Sequence, residues 1–252
     1  LEVIQVVNLK NIKLTVEYDG TNYCGWQRQR NGKSIQQTIE EAIGRVTGEN
    51  VKLIGSSRTD AGVHAKMYVC NFFTNSTIPP EKIGIVINHE LPEDIVILAS
   101  EEVDSTFHSR YCSKGKMYSY TILNRNERAA IERNYVYQYG RSVDVEAMKK
   151  AAVYFLGKHD FSAFKSTGSS VKDNVRTIKE VRVEKNGDYI KIYVSGDGFL
   201  YNMVRIVVGT LLLVGEKKIS SLYVKEIIES KDRNKAGKVV PAKGLCLEKV
   251  FY

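Results

Sequence analysis

The chain has 252 residues, with 37 Lys and Arg against 29 Asp and Glu and a formal charge of +8. Hydrophobic residues at 43% and charged residues at 26% exclude a long disordered polyelectrolyte and fit one large domain or two lobes, each with its own core. The positive field favours a polyanionic partner, nucleic acid first among them, without identifying one.

Cys24, Cys70, Cys112 and Cys246 form no CxxC pair. Neither a zinc ribbon nor a disulfide framework is expected, and a reducing cytoplasm suits the chain best. The N-terminus lacks a basic segment followed by a long apolar run, so no secretory leader is expected. The most apolar stretch, Met203 to Val214, contains Arg205 and is shorter than the roughly 20 residues that cross a bilayer, so it reads as a core helix and no membrane association is expected.

In chain order, Ile12, Leu14, Val16 and Tyr18 alternate with polar residues, the period of a half-buried strand. Asp19 to Gly25 reads as a loop. Ser34 stands three residues before Gln37 in a capping-box arrangement, and Ile35, Ile39, Ala42, Ile43 and Val46 mark one helical face that ends before Gly48. Strands are expected at Val51 to Ile54 and Met67 to Phe73, a short helix at Pro80 to His89 and a strand at Ile95 to Ser100. A second mixed unit follows: a strand at Lys116 to Leu123, an exposed connection at Asn124 to Arg128, and a helix marked by Val145, Met148, Ala152, Phe155 and Leu156 and closed by Gly157. Arg176 to Glu184 and Tyr189 to Ser195 flank Asn186-Gly187, a hairpin signal. Helices near Asn202 to Val214 and Ser220 to Ser230 precede a last strand, Leu245 to Phe251.

Gly55-Ser-Ser-Arg-Thr-Asp-Ala-Gly-Val-His64 places a carboxylate in a glycine-bounded loop between two apolar strands, where scaffolds present reactive groups. Asp and Gly are also ordinary turn residues, so spacing alone leaves Asp60 divided between a turn and a catalytic role. Arg205 is the one charge in its apolar run: it is either a cation at a solvated helix end near Asn202 or a buried guanidinium that needs a carboxylate. Trp26, Gln27, Arg28 and Arg30 beside Tyr23 combine flat rings, amides and cations suited to unstacked bases and phosphates, with a core tryptophan beside a basic turn as the plainer reading. Phe107, His108 and Arg110, with Lys114, Lys116 and Tyr118, form a second cluster of that kind. No GxxxxGK[ST], HExxH or zinc-spaced Cys/His set is present, so neither a metal site nor a nucleotide cofactor is expected.

Taken together, Tyr18-Asp-Gly-Thr-Asn-Tyr-Cys-Gly-Trp-Gln27, Arg58-Thr-Asp-Ala-Gly-Val-His-Ala65, Phe107-His-Ser-Arg110, Lys116-Met-Tyr-Ser-Tyr120, His159-Asp-Phe-Ser-Ala-Phe164, Gly198-Phe-Leu-Tyr-Asn-Met-Val-Arg205 and Pro241-Ala-Lys-Gly-Leu245 resemble, in order, the motifs of the tRNA pseudouridine synthase A family. Ser57 stands where that family commonly has glycine and Ser109 where alanine is common; Ser57 is expected to narrow the loop's backbone freedom.

The resemblance implies a cofactor-independent isomerase, a tRNA pseudouridine(38-40) synthase that converts uridine to pseudouridine at positions 38, 39 and 40 of the tRNA anticodon stem-loop. It implies an α+β pseudouridine synthase fold of two similar lobes with antiparallel sheets and flanking helices around an RNA-binding cleft. Residues 1–105 would carry the Asp60 loop and residues 106–252 would carry Tyr118 and Arg205. Asp60 would be the nucleophile, Arg205 its charge partner, and Tyr118 the aromatic group on the uracil. Arg58 would assist base flipping or phosphate binding, with Trp26, Gln27, Arg28, His108 and Arg110 as further RNA contacts. A cytoplasmic homodimer is implied as well. The competing expectation is a noncatalytic RNA-binding protein in which Asp60 only shapes a turn.

Overall fold

The computed structural model describes residues 9–30, 32–168, 171 and 173–252; the first eight, where the expectation of no secretory leader falls, lie outside the described residues. The chain divides into two compact units, one running to Ser113 and including Tyr252, the other Lys114–Phe251.

The first unit contains β1 (Lys10–Tyr18), α1 (Ile35–Thr47), β2 (Ile54–Gly55), β3 (His64–Thr74), α2 (Pro80–Asn88) and β4 (Ile95–Val103). β1 lies between β3 and β4, antiparallel to both, and β2 pairs with β3. The alternation that predicts β1 is the burial of Ile12, Leu14 and Val16, all fully enclosed. In α1, Ser34 Oγ accepts from Gln37 N–H at 3.2 Å, while the Gln37 amide donates forward to Glu41 at 2.8 Å, so the capping box is realised from the serine side. Gly48 closes the helix in the left-handed region at φ 72°. α2 packs on β4: Gly84 N–H donates to Ser100 Oγ at 2.9 Å, and the Asn88 side chain satisfies both the N–H and the C=O of Ile97.

The strand expected at Val51 to Ile54 contracts to Ile54–Gly55. Val51 and Leu53 are buried as the pattern requires, but Leu53 N–H goes to Glu40 Oε1 at 3.0 Å and Leu53 C=O accepts from Gln36 at 3.2 Å, so α1 side chains satisfy backbone that a ladder would otherwise occupy.

The second unit contains β5 (Gly115–Leu123), β6 (Tyr137–Gln138), α3 (Val145–Ala152), β7 (Gly157–Asp160), β8 (Val175–Asn186), β9 (Tyr189–Gly196), α4 (Met203–Gly215), α5 (Tyr223–Ser230) and β10 (Leu245–Phe251). Its strands run in the order β10-β5-β9-β8-β7, antiparallel throughout, with β6 added parallel to β5. The expected α+β class, with antiparallel sheets and helices, is the observed one.

In this unit the hairpin turn and two helix ends differ from the sequence reading. Asn186 pairs with Tyr189, so the hairpin loop is Gly187-Asp188, with Gly187 at φ 55° in the first turn position as a type II′ turn requires. The helix expected through Leu156 ends at Ala152 and tightens into a 3-10 turn, Val153–Phe155, which buries Phe155 and leaves Leu156 exposed. The helix expected from Ser220 begins at Tyr223, because the Ser220 hydroxyl accepts from Tyr223 N–H at 3.2 Å in a turn ahead of it. α4 buries every residue except Arg205 and Leu213, as a core helix should. No helix among the described residues is long and apolar enough to cross a membrane.

Glu216 follows α4 with only 6% of its side chain exposed, meeting Lys218 Nζ at 2.6 Å, Arg141 at 2.8 Å and the Tyr139 hydroxyl at 2.7 Å. Burial pushes its pKa up, but the hydrogen bonds from Lys218, Tyr139 and Arg141 outweigh it and hold the carboxyl at about 2. A depressed carboxyl stabilises the fold above its ordinary 4.5 and loses that contribution as pH falls towards about 2. Glu216→Gln should cost about 1–3 kcal/mol at pH 7 by urea unfolding. The gap from the wild type should be narrower at pH 3; a gap unchanged by pH would contradict the ionised cluster.

Candidate active site

Asp60 sits half-buried in the loop between β2 and β3. Ahead of it, outside any regular ladder, the Ser57 backbone and the Thr59 hydroxyl and carbonyl are each held by a specific partner. Tyr68 on β3 donates its hydroxyl to Ser57 C=O, and the same oxygen accepts from Ser57 N–H at 3.3 Å. The Tyr18 hydroxyl at the end of β1 meets Thr59 Oγ1 at 2.8 Å, and Trp26 N–H donates to Thr59 C=O at 3.1 Å. Beyond Asp60, Val63 N–H returns to Asp60 C=O at 3.2 Å, and His64 Nδ1 accepts from Gly20 N–H at 3.1 Å beside Asp19 at 3.0 Å. The Asp19–Trp26 loop and the Asp60 loop are therefore one structure. Gly25, at φ 104°, lets them approach: a Cβ there would stand 2.5 Å from Thr59 O.

Two sequence expectations change here. Trp26 is 3% exposed and stacked on Tyr68 with ring centroids 3.9 Å apart, so it supports the loop and has no free face for an RNA base. Ser57 has no positive φ, so a residue with a Cβ costs its backbone nothing. Ser109 is buried and puts its hydroxyl to use, donating to Ile54 C=O while its N–H donates to Asn71 Oδ1 at 3.0 Å. The Ile54 and Asn71 backbones are ladder partners at the base of the Asp60 loop.

The RNA-contact candidates lie at the surface. Arg58 is exposed and makes no hydrogen bond or ion pair among the described residues. Gln27, Arg28 and Arg30 are exposed; one Arg28 nitrogen reaches the buried Glu40 carboxylate at 3.2 Å while 56% of the side chain faces solvent. Arg28, Gln29, Arg30, Gly32, Lys33 and Gln37 line an open depression of about 650 Å³. His108 is half-buried, its Nδ1 accepting from Arg110 and Tyr111 N–H, and the Arg110 guanidinium lies 5.9 Å from the Tyr111 ring centre.

In the second unit, Tyr118 on β5 is buried and meets Phe199 edge-on at 5.3 Å. Phe199 belongs to the segment that leads into α4 and Arg205. Arg205 is half-buried in the first turn of that helix, its Nε donating to Val240 C=O at 2.7 Å and its Nη1 to Asn202 Oδ1 at 2.8 Å. Asn202, in the left-handed region at φ 60°, turns its amide to Ser166 Oγ at 3.0 Å, so the group that orients the guanidinium is itself oriented. Sequence reasoning missed Tyr68 and Tyr18 as supports, because in a strand a tyrosine's periodicity signals burial and says nothing of where its hydroxyl goes. Among the described residues no group of three or more His, Cys, Asp or Glu side chains could hold a metal ion.

A carboxylate fixed in a braced loop, with unpaired arginine on the same loop and a basic depression nearby, is the equipment of an enzyme acting on a polyanion. The model of the tRNA pseudouridine synthase family matches residues 14–112 and 151–252. The tRNA pseudouridine synthase A of Clostridium acetobutylicum is 64% identical over 244 residues, covering 97% of this chain and 100% of that protein. The tRNA pseudouridine synthase A 2 of Clostridium perfringens and the tRNA pseudouridine synthase A of Clostridium kluyveri are each 61% identical over the same shares. The chain belongs to the tRNA pseudouridine synthase family. Among solved structures, the Cbf5-Nop10-Gar1 complex aligns with 93% of this chain and 57% of the matched chain at 13% identity and a TM-score of 0.37, too distant to inform the site.

The contact at Gly25 yields a direct check. Gly25→Ala places a Cβ against Thr59 O in a backbone region that disfavours side chains, and should cost about 1–3 kcal/mol in urea unfolding. Wild-type stability would show that the two loops are not packed as described.

Proposed function

We propose that this chain isomerises uridine to pseudouridine at positions 38, 39 and 40 of the tRNA anticodon stem-loop, with Asp60 as nucleophile and without a cofactor. The observation that carries this reading is the bracing of Asp60 within Arg58-Thr-Asp-Ala-Gly-Val-His64, in a chain 64% identical to a tRNA pseudouridine synthase A. Three routes suit a carboxylate in that role: attack on the ribose C1′, attack on the uracil ring, or removal of a ribose proton. In each, the C1′–N1 bond breaks, the base turns, a C1′–C5 bond forms, the C5 proton leaves and N1 takes one up, so the reaction is an isomerisation with no external oxidant or donor.

A carboxylate nucleophile must be ionised, and a guanidinium favours that form while its planar fork orients an oxygen pair. Arg205 takes this role, with Val240 and Asn202 fixing its plane. Tyr118 stacks on the uracil and assists loss of the C5 proton. The target uridine leaves the helical stack at a cost of a few kcal/mol, and the exposed Arg58 offsets this by binding phosphate or filling the vacated space. Gln27, Arg28, His108 and Arg110 contribute to RNA binding; Trp26 supports the Asp60 loop instead. In this reading residues 1–105 present Asp60, and residues 106–252 present Tyr118 and Arg205. A cytoplasmic homodimer completes the proposal.

Asp60→Asn should leave tRNA affinity nearly unchanged while pseudouridine formation falls by about a thousandfold or more. Substantial turnover by that variant would overturn the assignment, and binding without turnover by the wild type would make the chain an RNA-binding protein. Arg205→Lys should lower turnover by about tenfold or more, since an ammonium cannot reproduce the fork. Arg110→Ala should weaken tRNA binding and reduce the salt-dependence slope by about one if it contacts one phosphate. Filter binding across a salt series checks the latter.

A further inference from the structure

We propose that Tyr68 is a positioning residue for the reaction, its phenol hydroxyl fixing the Ser57 peptide and through it the place of Asp60; this rests on Asp60 being the nucleophile. The ring is fully buried on β3, stacked on Trp26 at 3.9 Å and tilted against Tyr18 at 5.7 Å. Held between these neighbours, its hydroxyl has little freedom, and it bonds both backbone groups of one residue: it donates to Ser57 C=O and accepts from Ser57 N–H. Gly55 permits this closeness, since a Cβ there would collide with the Tyr68 hydroxyl and the Trp26 indole nitrogen.

The serine side chains do not share this work. Ser56 Oγ and Ser57 Oγ are buried and have no hydrogen-bond partner among the described residues. Arg58 makes no polar contact of its own there, so the course of the chain into Asp60 is fixed on either side of Arg58: by Tyr68 at Ser57, and by Tyr18 and Trp26 at Thr59. Removing the Tyr68 hydroxyl leaves both Ser57 backbone groups without that partner in a part-buried setting, and the segment must shift to find another. A reacting carboxylate is sensitive to such shifts, because a misplacement of about 1 Å can cost about a hundredfold in rate.

The test is Tyr68→Phe, which keeps the ring and the stack. The single-turnover rate of pseudouridine formation in tRNA should fall between about tenfold and about a hundredfold, with tRNA Kd within about twofold of wild type. Amide hydrogen exchange should quicken at Ser57 to Asp60 and stay unchanged in α4. A wild-type rate would overturn the proposal. So would a rate loss matched by an equal loss of tRNA affinity and faster exchange throughout the protein, the pattern of general unfolding. Asp60→Asn measured alongside separates the two claims: if it turns over, the nucleophile reading fails; if it is inactive while Tyr68→Phe is normal, only the positioning role fails.

Discussion

A reactive carboxylate has to stand on backbone that does not drift, yet the backbone ahead of Asp60 lies outside any ladder and is partly buried. Buried polar groups must find partners, and here the Tyr68 phenol holds the Ser57 peptide groups, the Trp26 backbone N–H holds Thr59 C=O, and the Tyr18 phenol holds the Thr59 hydroxyl. Those three aromatic residues also pack on one another, so the groups that hold the loop are themselves held. The segment Tyr18 to Gln27 and the segment Arg58 to Ala65 are far apart in sequence and inseparable in structure.

Arg205 meets a related requirement in a different way. A half-buried guanidinium in the first turn of an apolar helix needs oxygens, and Val240 C=O and Asn202 Oδ1 provide two of them without adding charge. These two neutral anchors fix the plane of the guanidinium. Glu40 shows the same economy on a structural carboxylate: it accepts from Leu53 N–H and Gln36 and draws in Arg28, tying α1 to the chain that leads into the Asp60 loop.

Periodicity made much of the fold legible. β1, α1, α4, β9 and β10 follow directly from apolar spacing, because in each one face is buried and the other is not, or the whole element is enclosed. Failures arose where a side chain replaced a backbone partner. Val51 to Ile54 has a strand's burial but surrenders its bonds to Glu40 and Gln36, and the start of α5 is displaced by the Ser220 hydroxyl. At the candidate site the motif pointed to Asp60, whereas composition left Trp26 open between a stacking platform and a core ring, and the structure buries it. Tyr68 stayed hidden because its function rests on the aim of one hydroxyl, which depends on the Trp26 stack and on Gly55.

The braced carboxylate matters for the chemistry proposed for it on tRNA. Purified wild-type protein should be incubated with unmodified tRNA and no added cofactor, and pseudouridine mapped at single-nucleotide resolution. New pseudouridine confined to positions 38, 39 and 40 is the predicted result. Bound tRNA with every uridine unchanged, or pseudouridine only outside the anticodon stem-loop, would contradict it.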